Sequence, residues 1–250
     1  MFFCPFPAAD NPLAACPQSQ VYLPAVMTQK ALYVGGCDAD FHRLEPTIAP
    51  IQAALTKAGL SVDVSGVYHS DSDQPVGDYR ALSAGNLANY NAVALFTTGG
   101  ENGADVPALL DFVRGGKALI GIHCATDSFT VHPEYIAAMG GKFRHHPAQL
   151  DVTVEFVGPP HPITQGLTPF TVHDELYLFS DYHPSRVHLL AETRSYDDNG
   201  PVPVCWIREE GQGRIFYLSL GHNPEVMADP HWQTLFERGV RWSLRTLGGE

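Results

Sequence analysis

The chain has 250 residues, 44% hydrophobic and 17% charged, which is the balance of a soluble globule with apolar surface enough for one large core. Fifteen Lys and Arg against 27 Asp and Glu leave a formal charge of −12, which argues against nucleic acid, a partner that needs a basic face. No apolar run approaches the roughly 20 residues of a membrane-crossing helix, and five scattered cysteines suggest a reducing, cytoplasmic setting rather than a disulfide framework or a zinc knuckle.

Residues 1–26 hold five prolines and no Lys or Arg, and lack the basic start and long apolar run of a secretory signal. They read as a disordered extension, with Met27 a candidate start and Cys4 and Cys16 without a role. Residues 27–250 read as a single domain. A first apolar strand over 30–34 leaves through Gly35-Gly36 into a polar run that ends at His42-Arg43. Ile48, Ile51, Ala54, Leu55 and Ala58 recur at helical spacing over 46–59. A second strand is expected over 61–67. Residues 70–90 are polar and irregular and read as a surface excursion. Their carboxylates Asp71, Asp73 and Asp78 lack the glycine and the closing glutamate of a calcium loop. A third strand is expected over 91–96, and Asp105 caps a helix that runs to Arg114 and stops at Gly115-Gly116.

Residues 118–122, Ala-Leu-Ile-Gly-Ile, have the composition of a strand buried on both faces. They break at once into His123-Cys124-Ala125-Thr126-Asp127, and ligands of open α/β sheets bind just beyond the carboxyl ends of strands. Gly121-Ile122-His123-Cys124-Ala125 has the outline of a nucleophile elbow, with His123 at the presented position. A short helix over 133–139 closes at Gly140-Gly141, and a loop over 142–147 carries His145 and His146. Adjacent side chains point apart, so one of the two is expected at the site, and His146 is chosen. Period-two alternation then marks strands over 151–157, 171–179, 188–193 and 202–208. An apolar strand over 214–220 ends at Gly221-His222, and Asp229-Pro230 opens the last helix. The expected fold is α/β, a three-layer sandwich whose central sheet is mostly parallel, with antiparallel additions in the C-terminal half.

His42, His123 and His222 each follow a strand expected near the centre of the sheet, and Asp174-Glu175 brings carboxylates from the second half. An imidazole beside a carboxylate moves protons near neutral pH, so His123, Glu175 and His222 are the candidate catalytic residues. His42, His123 and His222 also suit a divalent metal, although no His-x-x-x-His pair supports one, and no cofactor is fixed. A serine hydrolase is excluded, since histidine stands where the nucleophile belongs. Class I glutamine amidotransferases carry Gly-x-Cys-x-Gly and His-Pro-Glu. Here Cys124 comes one residue late and the His222 to Glu225 spacing is one residue long. Cys124 is therefore expected to turn inward as an inert thiol.

Six segments in order resemble the trehalose-utilisation (ThuA-like) proteins. They are Phe41-His42, the elbow at 121–125, Gly140-Gly141-Lys142-Phe143 with His146-Pro147, residues 161–167, Asp174-Glu175-Leu176-Tyr177, and Ser219-Leu220-Gly221-His222. The resemblance runs over about 30–242. It implies a flavodoxin-like fold related to class I glutamine amidotransferases but without their cysteine. It also implies a bacterial protein acting on trehalose-related or 3-keto-glycoside sugars, with a small-molecule sugar as partner and a homo-oligomer compatible; the charge balance and the lack of a long apolar run add no nucleic acid and no membrane as expectations. On such a substrate His123 is the expected base and Glu175 the expected acid. His42, Phe129, His146, Asp174 and Tyr177 are expected to bind substrate, and Phe129, Tyr177 and Trp206 suit stacking on a sugar ring. A sugar-binding accessory module without turnover is the alternative.

Overall fold

A computed structural model describes residues 1, 29–37, 42–65, 67–68, 75–100, 103–194 and 200–248. The extension expected over 1–26 lies outside the described residues apart from Met1, as do Phe41, Asp71 and Asp73. In chain order, β1 (Gln29–Cys37) leads through α1 (Leu44–Lys57) to β2 (Leu60–Ser65). A small pair, β3 (Val67–Tyr68) and β4 (Pro75–Val76), and a short helix α2 (Ala84–Leu87) precede β5 (Ala92–Thr98). Next come α3 (Val106–Arg114), β6 (Ala118–Ile122) and α4 (Pro133–Met139). The second half comprises β7 (Lys142–His145), β8 (Leu150–Phe156), β9 (Phe170–Asp174), β10 (Leu178–Ser180), β11 (His188–Thr193), β12 (Val202–Glu210) and β13 (Gly213–Leu218). Two helices, α5 (Pro224–Met227) and α6 (Pro230–Ser243), close the chain.

Nine strands share one sheet in the order β2-β1-β5-β6-β13-β12-β11-β8-β9. The first five are mutually parallel and the remaining pairings are antiparallel. Counted among themselves, the parallel strands stand second, first, third, fourth, fifth, the flavodoxin-like order. The runs at β5 and β6 are continuously apolar because helices cover both faces of the sheet there. Side chains of α1 and α6 fill the core on one face, and those of α3 and α4 fill it on the other. The fold is thus the flavodoxin-like three-layer sandwich, with its antiparallel additions in the C-terminal half.

Local chemistry accounts for the helix ends. The Asp105 side chain accepts from Ala108 N–H, and Asp229 accepts from His231 and Trp232 N–H, so each carboxylate satisfies donors that a helix start leaves open. Gly140, at φ +89, closes α4 in the left-handed conformation.

Three stretches differ from expectation. Tyr79, Leu82 and Leu87 are buried in the α3-side core, so the later part of the supposed surface excursion is a packed element whose apolar residues are too few to show a period. The segment at 142–147 is not all loop, because β7 pairs antiparallel with β10. The strand expected over 171–179 is two strands in different sheets, β9 and β10, with the break at Glu175-Leu176-Tyr177. That break frees Glu175 from ladder pairing. Among the described residues no helix is long and apolar enough to cross a membrane.

Candidate active site

His123 is the first residue beyond β6, at φ +44, a left-handed conformation that costs a non-glycine residue energy and persists only where the surroundings enforce it. Tyr217, on the neighbouring strand β13, enforces it. Its hydroxyl donates to the His123 carbonyl at 2.7 Å and lies 3.0 Å from Thr126 Oγ1. The turn presents the imidazole, as the elbow outline predicts, but into a closed interior, since His123 is fully buried. His123 Nδ1 lies 2.7 Å from the Ser219 carbonyl oxygen. A carbonyl can only accept, so Nδ1 carries the proton and Nε2 holds the lone pair.

His42, just beyond β1, rests its Nδ1 3.0 Å from Thr98 Oγ1 at the end of β5. Its ring meets those of His123 and His222 edge-on, with centroids 5.0 and 5.1 Å away. Burial, helped by His123 and His222, lowers its pKa to about 2, so His42 is neutral.

The carboxylate comes from the other half of the chain. Asp174, the last residue of β9, is buried and accepts from the backbone N–H groups of Gly221 at 2.6 Å, His222 at 3.2 Å and Glu175 at 2.9 Å. It ties the end of β9 to the segment beyond β13. Glu175 Oε2 consequently lies 3.3 Å from His123 Nε2, 3.2 Å from His222 Nδ1 and 3.5 Å from His146 Nε2. Burial acts to raise the Glu175 pKa, but His123 and His222 outweigh it and hold the carboxyl below its usual range. Glu175 in turn raises the His222 pKa against the opposing effect of burial. Asp174 is raised, chiefly by burial, against His123 and its three N–H donors. An ionised Glu175 suits a base or a cation ligand. One ligand-capable atom from each of His42, His123, His222 and Glu175 lies within 4.8 Å of the others. Tyr177 forms a wall, its ring centroid 4.0 Å from that of His123, 4.3 Å from Phe143 and 5.8 Å from His146.

Of the residues singled out in the sequence, His42, His123, His146, Glu175, Tyr177 and His222 meet here. Asp174 belongs behind the site, because both its oxygens are committed to backbone donors and its side chain is closed to any substrate. Phe129 is a core residue rather than a substrate contact. It is fully buried, with its ring edge-on to Tyr79 and Tyr135, and has no face to offer a sugar. Trp206 is likewise core, its indole N–H donating to the Met139 carbonyl at 2.8 Å. Cys124 is buried among apolar side chains, as the elbow geometry requires. Thr98, Phe143, Tyr217 and Ser219 were missed. Hydroxyls in or at the end of otherwise apolar strands, as in Thr97-Thr98 and Tyr217, are the signal that could have marked Thr98 and Tyr217.

A family model described as trehalose utilisation (ThuA) matches residues 30–243. Among solved structures, a ThuA-like protein from Parabacteroides merdae superposes with a TM-score of 0.70 at 17% identity, covering 89% of this chain and 92% of that one. A ThuA-like protein from Bacteroides uniformis gives 0.65 at 21% identity, covering 90% and 95%. A cytoplasmic protein from Salmonella typhimurium, STM3548, gives 0.58 at 13% identity, covering 86% and 98%. At these identities the likeness speaks for the fold. No curated protein matches the sequence. With its motifs in order and the family model spanning nearly all the described chain, the protein belongs to the trehalose-utilisation (ThuA) family.

Proposed function

We propose that this protein is a bacterial, cytoplasmic enzyme of carbohydrate metabolism that acts on trehalose-related or 3-keto-glycoside sugars by imidazole and carboxylate chemistry, with a divalent metal as its natural assistant. One observation carries the reading. Three imidazole nitrogens surround a single Glu175 oxygen within 3.5 Å, at the sheet edge where α/β folds bind ligands. Polar groups cost stability when withdrawn from water, and a cluster of this kind is more readily understood as a working site than as packing. A ketone on a sugar ring acidifies the adjoining C–H. Removing that proton while stabilising the charge on the ketone oxygen opens enolisation, isomerisation or elimination. Phe143 and His146, backed by the buried ring of Tyr177, supply an aromatic surface for the apolar face of a ring.

The test is turnover. The purified protein is incubated with trehalose and with its 3-keto derivative, products are separated by chromatography, and binding is followed by calorimetry. His123→Ala and Glu175→Ala should abolish conversion of the keto sugar while circular dichroism shows the fold retained. Full activity in both variants overturns the assignment. Binding by the native protein without any product favours the non-catalytic, sugar-binding module instead.

A further inference from the structure

We infer that His42, His123, His222 and Glu175 form a binding site for one divalent first-row transition ion, and that Asp174 is the positioning residue that holds it in shape. The ion site stands on geometry alone, and only its use on a keto sugar rests on the function proposed above.

The spacing is the first argument. In a tetrahedral shell with bonds of about 2.0–2.1 Å, neighbouring donor atoms stand about 3.3 Å apart. Glu175 Oε2 stands 3.3 Å from His123 Nε2 and 3.2 Å from His222 Nδ1, and the four-donor set spans no more than 4.8 Å. The second argument is satisfaction. His123 Nε2 and His222 Nδ1 are buried, and neither makes a hydrogen bond despite its closeness to the carboxylate. Native interiors seldom leave such atoms unmet, and an ion among them answers both. Charge is the third. Among the described residues the ion-pair partners of the Glu175 carboxylate are all histidines, and no Lys or Arg stands against it. Nitrogen donors favour zinc, iron, cobalt, nickel or copper over calcium or magnesium.

The surroundings complete the design. Metal-binding imidazoles commonly give their second nitrogen to a fixed partner, which sets the tautomer and the ring direction. His123 has the Ser219 carbonyl and His42 has the Thr98 hydroxyl in that position. Glu175 and His222, adjoining in space but far apart in sequence, are joined because Asp174 holds both backbone N–H groups. His146 remains outside the four. At 35% side-chain exposure it marks the open side of a cluster whose other members are exposed by 14% or less. Its Nδ1 lies 2.7 Å from the Pro147 carbonyl, which leaves the lone pair on Nε2, 3.5 Å from Glu175. On a 3-keto sugar, an ion held by His42, His123, His222 and Glu175 would supply Lewis-acid stabilisation of charge on the ketone oxygen. His146 Nε2 would take the proton from the adjoining carbon, the C–H electron pair becoming the C=C bond as the carbonyl π pair moves onto oxygen.

Elemental analysis of the full chain and thermal melts after chelation and re-addition of Zn2+, Mn2+ or Co2+ test the site without any sugar. One ion per chain is expected, with a rise in Tm on re-addition and, for Co2+, visible absorption of a low-symmetry nitrogen and oxygen shell. Glu175→Gln, nearly isosteric, should lose the ion. Asp174→Asn should weaken ion affinity by 10- to 100-fold although Asp174 touches no ion, and His146→Ala should retain full occupancy. Absence of any ion in the folded native chain at micromolar metal, or undiminished binding by Glu175→Gln, overturns the inference. Metal bound without turnover of keto sugars supports the site and refutes the substrate. Turnover untouched by chelation, with no metal detectable, does the reverse.

Discussion

Replacing Gly121 by alanine probes how tightly the elbow is built. A Cβ at this position in β6 would lie 2.3 Å from Met139 Cε, 2.9 Å from Tyr217 Cδ2 and 3.4 Å from Ala125 Cβ. The methionine end can rotate, though within a filled core. Tyr217 cannot yield so easily, because its hydroxyl holds the His123 carbonyl and its ring lies 4.4 Å from that of Trp206. Overpacking of this kind costs about 1–3 kcal/mol. Removing glycine's freedom in the unfolded chain returns about 0.5–1 kcal/mol. A net loss of up to about 2.5 kcal/mol follows, centred on about 1 kcal/mol, which is about 2–4 °C in Tm for a domain of this size. Urea unfolding and thermal melts measure it, and keto-sugar turnover should fall further than stability does, because a displaced Tyr217 releases the turn that aims His123. Shortening Met139 to alanine alone removes packing. Combined with Gly121→Ala, it should cost less than the sum of the two changes by about 1 kcal/mol. Wild-type or greater stability for Gly121→Ala, with strict additivity to Met139→Ala, refutes the reasoning.

Cys124→Ser places a hydroxyl among apolar side chains and should cost about 1–2 kcal/mol in urea melts while leaving turnover largely intact. Iodoacetamide should not inactivate the native protein, and rapid inactivation traced to Cys124 and blocked by substrate would revive a thiol mechanism. A pH prediction concerns Asp63, whose carboxyl is held below its usual range first by Lys30 Nζ at 2.6 Å and also by the Tyr90 hydroxyl at 2.9 Å. A depressed folded-state pKa stabilises above the unfolded value of about 3.9 and loses that effect as pH falls through the folded value. Both partners of this pair are partly exposed, so Asp63→Asn should cost under about 1 kcal/mol at pH 7, a deficit that shrinks as pH falls through the folded-state value, and a deficit that widens in acid would refute it.

The parallel half of the sheet was legible because its strands are buried on both faces and read as plain apolar runs, as at β5 and β6. The site was legible to the extent that its histidines stand immediately beyond such runs. Glu175 was identifiable as a carboxylate but not as a break in a strand, since β9 and β10 together alternate like a single element. Phe129 was misread because an aromatic near a polar loop looks the same in sequence whether it faces solvent or the core. The pairing of the imidazoles with the groups that orient them was not legible for a different reason. The Ser219 carbonyl belongs to the backbone and carries no residue signature, and Thr98 lies 56 positions from the histidine it supports.

The long bridges in this centre also bear on how the protein comes to exist. His123 meets its backbone partner 96 residues away, Tyr217 reaches back 94 residues to hold the His123 turn, and Asp174 fastens to Gly221 across 47. Contacts this distant require large loops to close before they return any free energy, so they form slowly and late. A nascent chain that has emerged as far as His123 already carries two of the site's histidines, yet it has nothing to aim them with. The site is therefore incomplete until the last strand, β13, has been threaded into the middle of the sheet between its hairpin partner β12 and β6, which was made long before it, and completion of the site marks a late step of folding.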